Sequence, residues 1–96
     1  MEKLTGKIMG QVLDVEGADG RMQKQFHYFV ETEPGKRKEI VIEGEPPYQK
    51  SATLHPLLHK RCQVEGDKLA MRLVVQKENI KVLNEAISTR GKKQVL

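Results

Sequence analysis

Three side chains of metal-binding type, His55, His59 and Cys62, fall within eight positions. If residues 54–60 are helical, the two imidazoles lie one turn apart on one face, a spacing that can chelate zinc or copper. No fourth ligand is evident, Pro56 disturbs the helix between them, and strand periodicity turns Cys62 inward. Two solvated histidines beside a buried thiol are therefore expected, with no metal and no cofactor. A second set of residues points to phosphate chemistry. Arg21 and Lys24 border a polar loop, Lys36, Arg37 and Lys38 follow a turn, and Lys68 and Arg72 come late in the chain. His27 and Phe29 alternate on the outward side of a strand between them. Cations placed like this displace counterions from a nucleic-acid backbone, and flat rings accept unstacked bases. Glu31, Glu39 and Glu43 are expected on the same outward side, where they repel phosphate. Catalysis finds no foothold: there is no glycine-rich phosphate loop, no activated Ser or Cys, and no carboxylate pair that strand phase gathers in a cleft.

The charge is unevenly distributed. Residues 1–48 hold seven Lys or Arg against nine Asp or Glu, and residues 49–96 hold ten against four, so the two halves carry −2 and +6 of a net +4. A basic half suits an anionic partner, although a solvated basic face is the commoner reason for such a bias. Aliphatic side chains must fill the interior, because the chain has two Phe, two Tyr and no Trp. No apolar run approaches the roughly 18 residues of a membrane-spanning helix, and the N-terminus lacks a signal-peptide pattern, so a cytoplasmic protein without membrane contact is expected. The lone Cys62 forms no internal disulfide.

Periodicity supplies the elements that must position these residues. Leu4–Glu16 reads as one long strand interrupted by Gly6 and Gly10, with Ile8 and Val12 on one side and Met9, Leu13 and Val15 on the other. Glycines inside a strand mark bends or bulges. Gly17–Gly20 is a turn. Gln25–Thr32 alternates, with Phe26, Tyr28 and Val30 inward, and Pro34-Gly35 turns it back into Lys38–Gly44, with Ile40 and Ile42 inward. Pro46-Pro47 ends the sheet. Thr53–Lys60 then forms one or two helical turns with Thr53 as N-cap and Leu54, Leu57 and Leu58 on one face. Arg61–Glu65 is a strand with Cys62 and Val64 inward, Gly66-Asp67 a turn, and a last strand from Leu69 points Leu69, Met71, Leu73 and Val75 inward. After a polar break at Lys77–Asn79, Ile80, Val82 and Leu83 extend it. Residues 85–96 read as a mobile basic tail on a single domain spanning 1–84.

A curved glycine-interrupted first strand, a Pro34-Gly35 hairpin, a short Leu54, Leu57, Leu58 helix and two further strands come in the order of an OB-fold, and the chain resembles small bacterial OB domains over residues 4–84. The segment from Leu57 to Gly66, continued through Val75, resembles their closing hairpin. The fold class this implies is all-β, a five-stranded OB-like barrel with a short helix between the third and fourth strands. An SH3-like barrel is the structural rival; a ferredoxin-like fold needs two substantial helices and fits poorly. The resemblance implies a non-catalytic domain that binds single-stranded DNA or RNA through His27, Phe29 and the cations named above. The alternative is a protein-interaction or assembly module, including a homodimer, meeting its partner through an edge strand or through Phe29, Val41 and Val74.

Overall fold

A computed structural model describes residues 1–83, and the basic segment expected at 85–96 lies outside the described residues. Five strands, β1 (Glu2–Glu16), β2 (Met22–Glu33), β3 (Lys36–Ile42), β4 (Arg61–Leu69) and β5 (Arg72–Val82), form one sheet that closes into a ring in the order β1-β2-β3-β5-β4. All neighbouring pairs are antiparallel except β3 and β5, which run parallel. A parallel pair cannot be joined by a tight turn, so the chain between them makes β4 on the way. Among the described residues no helix is long and apolar enough to cross a membrane.

The period-2 pattern produces the core directly. Ile8, Val30, Ile40, Val64, Leu73 and Val75 are at most 1% exposed, and Tyr28, Ile42 and Cys62 join them. Phe26 packs against this cluster while remaining partly exposed. β1 belongs to both sides of the ring: Glu2–Lys7 pair with β4, and Lys7–Glu16 pair with β2. The strand changes partners around Gly6, which is buried so close to the Glu31 carbonyl and Thr32 Cα that a side chain there would collide with fixed backbone. β1 and β2 also outrun the ring. Beyond Gly10 and before Tyr28 they pair only with each other as strands, forming a two-stranded arm that ends in the Gly17–Gly20 turn. Val12 therefore keeps the phase of Ile8 but is 50% exposed, because no core lies beneath it.

The expected turn at Gly66-Asp67 is corrected. β4 runs through it to Leu69, and the reversal is the Ala70-Met71 pair, with Ala70 at φ 56°. Gly66 is buried within β4 because the Val74 carbonyl and Val75 Cα leave no room for a Cβ. Leu69 and Met71, expected inward, are 67% and 83% exposed, since they flank the real turn at the end of the ring. The polar break at Lys77–Asn79 is seen as an irregularity in β5: Val64 pairs with Ile80 but Gly66 with Val75, so residues 76–79 loop out opposite Glu65.

The expected helix shrinks to one 3-10 turn, His55–Leu57, and Thr53 is not its cap; Leu54 takes that position without a side-chain bond. Its hydrophobic face is as expected: Leu54 is 1% exposed and plugs the ring, with Leu57 and Leu58 packed beside it. Polar bonds hold the plug. The Glu45 carboxylate accepts from the Ser51 hydroxyl and the Thr53 hydroxyl, each at 2.6 Å. The buried Ser51 Oγ in turn accepts from Leu54 N–H (2.9 Å), and Ser51 N–H donates to Tyr28 Oη (3.1 Å). Burial alone would raise the Glu45 pKa, but the hydroxyls of Ser51 and Thr53, the Thr53 N–H and the charge of Lys77 outweigh it and hold the group below its ordinary value.

Candidate nucleic-acid interface

The outward side of β2, β3 and β5 forms a continuous surface whose rows follow from strand register. Phe29 lies opposite Glu39, and Glu39 opposite Arg72; one row away Val41 lies opposite Val74, and at the other end Glu31 opposite Arg37. The Arg37 guanidinium carbon is 5.7 Å from the Phe29 ring centroid, and its Nε is 3.6 Å from Glu31. His27 Nδ1 meets the Glu39 carboxylate at 2.7 Å, and its Nε2 lies 3.2 Å from the Gln25 side-chain oxygen. Side-chain exposures of 14% and 22% for His27 and Glu39 keep water from competing freely for that contact.

Tyr48 completes the surface, a residue that periodicity gave no reason to place there. It follows Pro46-Pro47 in the β3–β4 connection, and its carbonyl accepts from Phe26 N–H (2.9 Å), continuing the edge of β2 past the end of β3. The ring lies 5.0 Å from His27 at 43°, and the Arg72 guanidinium carbon sits 5.3 Å from its centroid. Tyr48 adopts φ 67°, a left-handed conformation that costs an aromatic residue about 1–2 kcal/mol. The space enclosed beneath it is about 20 Å³, enough for little more than one water.

Four of the expected residues, His27, Phe29, Arg37 and Arg72, are thus brought together, and Tyr48, Glu31 and Glu39 join them. The other five lie apart from this cluster. Arg21 and Lys24 sit on the arm, ion-paired with Asp19 (3.8 Å) and Asp14 (3.1 Å). Lys36 pairs with Glu33 at 3.2 Å across the hairpin turn. Lys38 and Lys68 carry the phase of the interior, opposite Val30 and Leu73, and so do not share the face of Arg37 and Arg72. The expected carboxylates are on or beside this face: Glu31 has the Arg37 guanidinium within 3.6 Å, Glu39 shares a hydrogen bond with His27, and Glu43 stands beyond β3.

The three candidate metal ligands are not gathered into a site. Tyr28 Oη lies 3.1 Å from His55 Nδ1, His59 adopts φ 70° at the end of the plug, and Cys62 is fully buried in the core. Among the described residues no group of three His, Cys, Asp or Glu side chains converges on one point. Burial pushes the Cys62 thiol upward, only partly countered by Lys60, so it is held as the unreactive thiol. No family model matches the chain, and neither a curated protein nor a solved structure is significantly similar to it.

Proposed function

We propose that the chain is an OB-type domain that binds single-stranded nucleic acid, without catalysing a reaction, across the outer face of β2, β3 and β5. The ring order β1-β2-β3-β5-β4 and its parallel β3–β5 closure support the OB reading. The observation that carries the binding reading is the pair of arginine–ring contacts on this face, Arg37 over Phe29 and Arg72 over Tyr48, with His27 against the Tyr48 ring. Rings on a strand surface give each base a sequence-tolerant platform, and the Arg72 guanidinium alongside can neutralise a phosphate of the same strand. Among the described residues Arg72 has no carboxylate within 4.0 Å, so its charge is available to a ligand.

Fluorescence polarisation with labelled oligo-dT and oligo-U, at about 50 and about 200 mM salt, tests this. Binding is expected to weaken with salt, and Phe29→Ala to reduce affinity by about 5- to 150-fold, the cost of one lost stacking contact. Arg72→Gln should lower the salt slope by about one. No binding at the lower salt, or binding indifferent to Phe29→Ala, overturns the proposal. A protein partner is the second reading, favoured by the open strand edge of the β1–β2 arm.

A further inference from the structure

The ladder between β1 and β4 stops before β1 does. Glu2–Lys7 pair with β4, and one step further Ile8 N–H donates to the Lys60 carbonyl (3.0 Å) while the Ile8 carbonyl accepts from His59 N–H (2.7 Å). Alternate residues of a strand turn their backbone groups to the same edge, so Gly10, Val12, Asp14 and Glu16 present theirs along the line that β4 has left. Among the described residues no backbone group takes them up. Proteins usually blunt such an edge with charged side chains, Lys above all, with Pro or with a bulge. The stretch Gly10–Glu16 contains no Lys, Arg or Pro; its two charges are Asp14 and Glu16, and Val12 and Leu13 are 50% and 39% exposed.

We infer that this edge pairs, antiparallel, with the same edge of a second copy of the chain, about a two-fold axis at Leu13. Leu13 is the midpoint of the open edge. With Leu13 opposite its own copy, Val12 meets Asp14 and Gly10 meets Glu16, so the edge is filled from end to end and the pairing stops short of Lys60. Such an interface is self-complementary, as a two-fold requires. On one face Gln11, Leu13 and Val15 meet Val15, Leu13 and Gln11. On the other side of the axis Glu16 of each copy lies two residues, about 7 Å, along the strand line from Lys60 of its partner, bringing opposite charges near each other twice. Asp14 carries its own counterion, Lys24, at 3.1 Å. The neighbouring registers are worse: a two-residue shift toward the ring drives Glu16 into the place of Lys60, and the opposite shift sets Asp14 against Asp14. The result is a four-stranded sheet, two strands from each copy, joining two rings. This pairing is independent of nucleic-acid binding, whose face lies on β2, β3 and β5.

Sedimentation velocity on the full chain from about 1 to about 200 µM, without nucleic acid, is the test. The mass is expected to rise from monomer to dimer across that range. Leu13→Lys sets two ammonium groups opposite each other on the axis and should weaken association at least about tenfold, with an unchanged circular-dichroism spectrum. Lys60→Glu should weaken it as well, and adding Glu16→Lys should restore it. A monomer throughout the range, a dimer that Leu13→Lys leaves intact, or a charge swap that restores nothing overturns the inference.

Discussion

Replacing Glu45 tests whether one carboxylate holds the plug that closes the ring. Its two oxygens accept hydroxyl bonds from Ser51 and Thr53 at 2.6 Å each, and Ser51 passes the constraint to Leu54 and Tyr28. A hydrogen bond to an ionised group contributes about 1.5–3 kcal/mol, and the partial exposure of Glu45 favours the low end. Glu45→Gln keeps one acceptor oxygen and loses the other together with the charge, a cost of about 1.5 kcal/mol. For a domain of this size that lowers Tm by about 6–12 °C. The pH dependence has a definite sign. The folded pKa of Glu45 is depressed, so its stabilisation is fully present above the unfolded value and is lost as pH falls through the folded one. Thermal melts followed by circular dichroism should therefore show a wild-type advantage at pH 7 that narrows as the pH falls through the depressed folded pKa and closes once the Glu45 carboxylate is protonated. Equal melting temperatures at pH 7, or a gap that acid leaves undiminished, would refute the role given to the carboxylate.

The left-handed backbone of Tyr48 separates its ring from its strain: Tyr48→Gly should be more stable than Tyr48→Ala by about 1 kcal/mol in urea titrations, though both lose the tilted ring contact with His27. Ala70→Gly, at φ 56° in the β4–β5 turn, should raise stability by about 0.5–1 kcal/mol in the same assay, with the turn otherwise unchanged. Cys62 should resist a thiol reagent in the native protein and react fully in denaturant; rapid native labelling would contradict its burial and raised pKa.

The interior was legible because it is built from one rule. Phe26, Tyr28, Val30, Ile40, Ile42, Leu73 and Val75 alternate with polar neighbours, and strand geometry converts that alternation into a core. The errors arise where a residue answers to something other than its own strand. Gly66-Asp67 has the composition of a turn and Ala70-Met71 does not, yet Gly66 is small because β5 crosses close above it, a requirement set by another segment. Alternation assigns Val12 to the side of Ile8 but carries no information about where the ring ends along β1. Tyr48 sits in an aperiodic loop, so only the folded connection brings its ring to His27 and Arg72. The ion pairs of the cations are hidden for a related reason: composition does not reveal that Lys24, Lys36 and Arg21 each have a carboxylate within 4.0 Å.

The seam between β3 and β5 is the shortest ladder in the ring, Glu39–Ile42 against Arg72–Val75, and it joins parts of the chain distant in sequence. With four paired positions it has the fewest ladder bonds to break, so local opening of the ring is expected there first. The rows that lie across this seam, Glu39 beside Arg72 and Val41 beside Val74, belong to the surface where a strand of nucleic acid is proposed to rest. A ligand spanning β2, β3 and β5 would then act as a clasp: amide exchange along Ile40–Ile42 and Leu73–Val75 would slow on binding, and the empty ring would breathe where the occupied one does not.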